Sequence, residues 1–154
     1  MKKSSLITAF LTLFILLFTE SCSTSKKTKT AETGQTADNL ERLGQAFLLT
    51  SVSSDDTYGY TEKNSIKVGS EKGEVKASGE YLFMNALTGP NGEEITFRRL
   101  GSCCGFKSSR GFLGSGLLDR FEVKYESLKE PIILYLNMYD PGVVKAPKGF
   151  GFRK

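Results

Sequence analysis

The segment FEVKYESLKEPIILYLNMY, residues 121–139, holds two strand patterns separated by a turn. In its first half Phe121, Val123 and Tyr125 alternate with Glu122, Lys124 and Glu126. A strand repeats every two residues, so these sets fall on opposite faces, one buried and one wet. Residues 132–139 (IILYLNMY) carry apolar or aromatic side chains on both faces, which predicts a central strand. The short link 127–131, ending in Pro131, makes the pair a hairpin.

Upstream, residues 94–100 predict a third strand with Ile95 and Phe97 inward. Gly89-Pro90-Asn91-Gly92 before it is a strong turn, because proline fixes one central dihedral and asparagine or glycine tolerates the next. Residues 81–87 (YLFMNAL) are apolar but too few for their period to separate helix from strand. Glycine-bearing 71–80 reads as a loop, and Ile66 with Val68 marks one face of an edge strand within 60–68. Asp38 as N-cap, Glu41, and Leu40, Leu43, Phe47 and Leu48 at helical spacing predict a short amphipathic helix near 39–50, packed on the domain. The Pro/Gly-punctuated tail 140–154 is expected to wrap across the sheet. Together these elements predict an α+β fold: a small, mostly antiparallel sheet with one or two short helices, in a single domain over 40–154.

The first residues are a different kind of sequence. Lys2 and Lys3 precede an apolar run, 6–18, which as a helix reaches about 20 Å against a hydrocarbon core of about 30 Å. It is too short for a comfortable permanent span and suits an export signal. With Ser21 before Cys22, the segment resembles a bacterial lipoprotein signal peptide, departing from the usual pattern at Thr19 and Glu20. The resemblance implies removal of 1–21, lipid on Cys22 and membrane attachment through it, a lasting anchor once several acyl chains are carried. Residues 22–39 are then a lipidated tether, Ser/Thr/Lys-rich and without large apolar residues. Lys26, Lys27 and Lys29, in place of an acidic cluster after the cysteine, favour an outer-membrane protein facing the periplasm.

Composition narrows the chemistry. The net charge of +4 is mild and evenly spread, so nucleic acid is not expected as a partner. The 154 residues include no histidine, which removes Ser-His-Asp and Cys-His catalysis and histidine-based zinc sites. No catalytic residue, metal set or cofactor is indicated. Arg98, Arg99, Asp119, Glu122 and Asp140 are candidates for a polar site, but alternating charges on a strand usually form its solvated face, and no carboxylate pair can be assigned acid and base roles.

The sharpest local feature is Gly101-Ser102-Cys103-Cys104-Gly105. With Cys22 lipidated, Cys103 and Cys104 are the remaining thiols, open to a vicinal disulfide, free or buried thiols, or metal and intermolecular chemistry. Neighbouring Cα atoms lie about 3.8 Å apart, below the 4.4–6.8 Å of ordinary disulfides, so a bond between them needs the tight turn that flanking glycines permit. Lys107, Arg110, Gly111, Gly114 and Gly116 then form a basic, glycine-rich stretch. It matches no phosphate-binding fingerprint and is expected to be a mobile loop, with Lys107 and Arg110 as candidate anion-binding residues.

The stretches 58–64 (YGYTEKN), 85–92 (NALTGPNG), 101–104 (GSCC) and 134–140 (LYLNMYD) together resemble a family of small lipoproteins of Bacteroidota-type bacteria. Some members carry the product name 2-dehydro-3-deoxyphosphooctonate aldolase, which implies condensation of phosphoenolpyruvate with a sugar phosphate. That enzyme is similar to a (β/α)₈ barrel of about 250 residues, more than this domain can build. The sequence therefore leads to a membrane-anchored periplasmic lipoprotein with a non-catalytic binding or envelope-structural role, its partner an envelope protein or glycan. The alternatives are an enzyme acting on a phosphorylated sugar or other anion near Lys107 and Arg110, and a thiol redox or metal module at Cys103-Cys104.

Overall fold

In the computed structural model the described residues are 34–72 and 78–154. Elements follow in the order β1 (Arg42–Leu43), β2 (Ala46–Phe47), a 3₁₀ turn (Glu62–Asn64), β3 (Ile66–Lys67), α1 (Ser78–Ala86), β4 (Leu87–Thr88), β5 (Thr96–Phe112), β6 (Ser115–Lys124), β7 (Ile132–Asn137) and β8 (Gly151–Phe152). The main sheet has the order β3-β7-β6-β5, with β3 parallel to β7 and the other pairs antiparallel. The fold is α+β, its sheet mostly antiparallel.

The alternation in β6 sets the sheet's inner face. Phe121 and Val123 are fully buried and stand opposite Leu134 and Ile132 of β7. Leu136, one period further along β7, pairs with Asp119 on one side and with Ile66 of β3 on the other. Helix α1 contributes Leu82, Phe83 and Met84 to the same core. Tyr81 meets Phe121 edge-on, with ring centroids 5.7 Å apart. The apolar run that left helix and strand open is thus helical up to Ala86, with Leu87 opening β4, and the helix starts three residues earlier than that run, at Ser78, inside the expected loop. Gly79 lets it approach β3, since a Cβ there would sit 2.9 Å from the Val68 carbonyl oxygen.

The helix expected near 39–50 is replaced by the β1–β2 hairpin. Gly44 turns it at φ 59°, and the Asn85 side chain of α1 donates to the Gln45 carbonyl at 2.9 Å. Leu40, Ala46, Phe47 and Leu49 are buried, whereas Leu43, which a helical stripe would bury, is 55% exposed. Asp38, expected as the helix N-cap, instead accepts the backbone N–H of Glu71. Among the described residues Gln35 and Thr36 meet Val144 and Val143. The tail does wrap across: Val144, Ala146 and Phe150 are buried, and β8 pairs with β4.

Candidate functional site

The cysteine segment and the stretch expected to be a mobile loop after it belong to one continuous strand. β5 runs 17 residues, through Gly101–Gly105 and on to Phe112, paired with β6 throughout except at three irregularities. Two of them are bulges. Arg99 faces Phe121 and Gly101 faces Arg120, leaving Leu100 unmatched; Cys103 faces Leu118 and Gly105 faces Leu117, leaving Cys104 unmatched. Glycines that look like breakers are thereby absorbed within a ladder.

At the second bulge Cys104 adopts φ 55°, a left-handed conformation rare for a residue with a side chain. In a regular strand adjacent side chains point to opposite faces. The bulge re-aims Cys104, and the two cysteines are joined by a disulfide between Cα atoms 3.7 Å apart.

That disulfide borders an open pocket of about 330 Å³ on the face away from α1. Lys67 of β3 pairs with Asn137 of β7 and Leu118 of β6 pairs with Cys103, and Lys67, Asn137 and Leu118 all line the pocket. Phe106, Lys107 and Lys63 of the 3₁₀ turn complete the lining. The floor is held by bonds. Asn137, almost fully buried, accepts the N–H groups of Tyr139 and Asp140 at 2.8 and 3.0 Å and donates to the Asp140 carboxylate at 3.1 Å. The Ser108 hydroxyl donates to the other Asp140 oxygen at 2.6 Å. Lys63, Lys67 and Lys107 line the pocket together with Glu62 and Asp140, three cations to two carboxylates, which leaves it mildly basic. Lys107 therefore lines the pocket, whereas its expected companion Arg110 lies further along the hairpin, where its backbone N–H meets Ser108 Oγ.

The opposite face of the same bulge is charged and closed. Asp119 is buried and receives two bonds from the Arg99 guanidinium, at 2.6 and 2.7 Å, and one from Ser102 Oγ at 2.7 Å. Arg99 also donates to Ser102 at 2.8 Å, and its side chain is 38% exposed. Beside them, in the first turn of α1, Glu80 is fully buried against Asp119. Burial, then the Asp119 charge, pushes the Glu80 carboxyl up to about 9. Burial acts on Asp119 as well, but the bonds from Arg99 and Ser102 outweigh it and hold that carboxyl below its usual value. At neutral pH Asp119 is ionised and Glu80 carries a proton.

The two carboxyls are thus split in the way acid–base pairs are, and the fold makes a pair that sequence reading could not assign. Both are closed off from solvent, so the cluster braces the bulge against α1. The five charged candidates scatter accordingly. Arg99 and Asp119 form this brace, Arg98 and Glu122 make an exposed ion pair at 3.0 Å, and Asp140 holds the pocket floor. Sequence reading missed Glu80, because a carboxylate in a first helical turn is ordinarily solvated and nothing local marks this one as buried.

Cys22, the leader 1–21 and the tether up to residue 33 lie outside the described residues. Among the described residues no group of three or more acidic or cysteine side chains is placed to hold a metal ion, and no helix is long and apolar enough to cross a membrane. Compared with protein-family models, with curated proteins and with solved structures, the chain matches none.

Proposed function

We propose that this chain is an envelope lipoprotein, anchored in the outer membrane through Cys22 and facing the periplasm, that binds an anionic glycan in the pocket beside Cys103–Cys104 without transforming it. The leader and its resemblance to lipoprotein signals support the location, and the pocket supports the binding role. The observation that carries the reading is the left-handed Cys104 bulge, which turns a disulfide onto the rim of a basic pocket. Backbone strain at a non-glycine residue is kept where the surrounding structure uses it.

The lining suits the ligand class. Phe106 and the disulfide offer apolar surface for the C–H face of a sugar ring, and Lys63, Lys67 and Lys107 offer donors at its edge. The aldolase product name finds no support in this fold, whose main sheet has four strands where the barrel needs eight.

Titration with an oligogalacturonate, against a neutral maltooligosaccharide, tests the reading by calorimetry. Saturable binding of the acidic sugar is expected, weakened about tenfold or more in Lys67→Ala, the loss expected for one charge-assisted hydrogen bond. Equal or absent response to the two sugars contradicts it. Release of inorganic phosphate or cleavage of a sugar phosphate by the purified protein would make it an enzyme instead.

A further inference from the structure

Past Asp119 the β5–β6 hairpin leaves the sheet, because β7 pairs with β6 only as far as that residue. The hairpin ends in a two-residue turn between Phe112 and Ser115, with Leu113 at φ 51° and Gly114 at φ 77°. Such turns take asparagine, aspartate or glycine at both central positions, because these tolerate positive φ. Here the first is a leucine, 88% exposed, beside Phe112, 83% exposed. Cys104 and Leu113 are the non-glycine residues with positive φ among the described residues, and both belong to this hairpin. Neither packing nor turn chemistry accounts for a leucine held in that conformation and projected into solvent.

The surroundings favour one kind of partner. Between Gly105 and Leu118 the chain carries Lys107 and Arg110 and no acidic residue. Phe106, Phe112, Leu117 and Tyr139 border an open apolar hollow of about 470 Å³ behind the turn. Gly116 allows Phe106 and Tyr139 to close under the ribbon, since a Cβ there would sit 2.7 Å from the Phe106 ring. The tip is therefore an exposed apolar turn with two cations in the strand that leads to it.

We propose that this tip enters the headgroup layer of an anionic lipid membrane, Phe112 and Leu113 reaching the acyl boundary while Lys107 and Arg110 meet lipid phosphates. A stable protein interface buries about 800 Å² on each partner, and two side chains at a turn offer only a few hundred. They do match the depth of about 5–10 Å at which interfacial elements sit. The tip would add a second contact to a lipid anchor, but the proposal does not require Cys22 to be modified.

The chain contains no tryptophan, so Phe112→Trp introduces a single indole at an exposed position. With the full chain and vesicles of phosphatidylcholine containing phosphatidylglycerol, the emission of this variant should shift to the blue and be quenched by brominated acyl chains. Leu43→Trp, on the exposed β1 position, should stay unquenched even where the leader carries the chain to the vesicles. Replacing Lys107 and Arg110 by alanine should lower partitioning of the tip about 30-fold, the loss expected for two cations near an anionic surface. An unquenched Phe112→Trp, equal quenching at both positions, or no association with vesicles would overturn the proposal. So would a blue shift without vesicles that grows with protein concentration, which would make the tip a contact between copies of this chain.

Discussion

The β5–β6 hairpin behaves differently at its two ends. From Thr96 to about Ser102 it lies in the sheet against α1, with Phe121 and Val123 fully buried and Asp119 locked to Arg99. From Cys103 outward the same strands stay paired but lose β7 and the helix, and their side chains form a pocket rim, an apolar hollow and an exposed turn. Substitutions in the inner half should therefore change stability, and those in the outer half should change binding. About three residues of β6, roughly 10 Å at strand rise, separate the disulfide from the turn.

The largest effect is expected in the inner half. Phe121→Ala should lower the unfolding free energy by about 3–5 kcal/mol, read from urea midpoints at constant slope. Next comes Asp119→Asn, which leaves Arg99 without its counter-charge. Because that side chain reaches solvent, the cost should be about 2–3 kcal/mol, less than for a fully buried pair.

Glu80 gives the same half a pH signature. Its carboxyl titrates at about 9 in the fold and near 4.5 when unfolded, so between these values the unfolded chain binds fewer protons. Stability from this group is complete below about 4.5 and declines as pH rises towards 9, with a slope of up to about 1.4 kcal/mol per pH unit. Thermal melts of Glu80→Gln across that window should lack this decline. Parallel pH profiles for the wild type and Glu80→Gln across the window would mean that Glu80 is ionised in the fold.

The outer half should hardly register in such assays. Leu113→Asn relieves an unfavourable backbone conformation and should raise stability by about 0.5–1 kcal/mol while abolishing tip insertion. Exchange of both cysteines for serine opens a loop of two residues, too short for the entropy that longer disulfide loops contribute, so the urea midpoint should barely move. A large loss of stability in either variant would erase the distinction between the halves.

The sequence was legible where one side of a strand meets the core. The alternation of Phe121 and Val123, the apolar faces of β7 and the 89–92 turn, closed by the Gly92 N–H to the Gly89 carbonyl at 3.1 Å, all have local causes. The outer hairpin was not legible, because neither of its faces packs on the core and no apolar alternation marks it. Leu40, Leu43 and Phe47 mimicked a helical stripe by spacing alone, and the turn at Gly44 with its bond from Asn85 decided otherwise. Residue types singled out Cys103 and Cys104, but their place at a bulge beside Lys67 and Asn137 depends on strand register across three neighbours. The pairing of Glu80 with Asp119 joins distant parts of the chain and leaves no local trace.

Amide chemical shifts, followed while oligogalacturonate is added to the oxidised protein and to the Cys103→Ser/Cys104→Ser variant, put the division between a structural base and a binding hairpin to the strongest test. The account predicts saturable shifts at Lys63, Lys67, residues 105–107 and Asn137 in the oxidised protein, with α1 and the inner half of β6 unmoved, and their loss in the variant. Shifts centred on Glu80 and Asp119, or a response that survives unchanged without the disulfide, would contradict it.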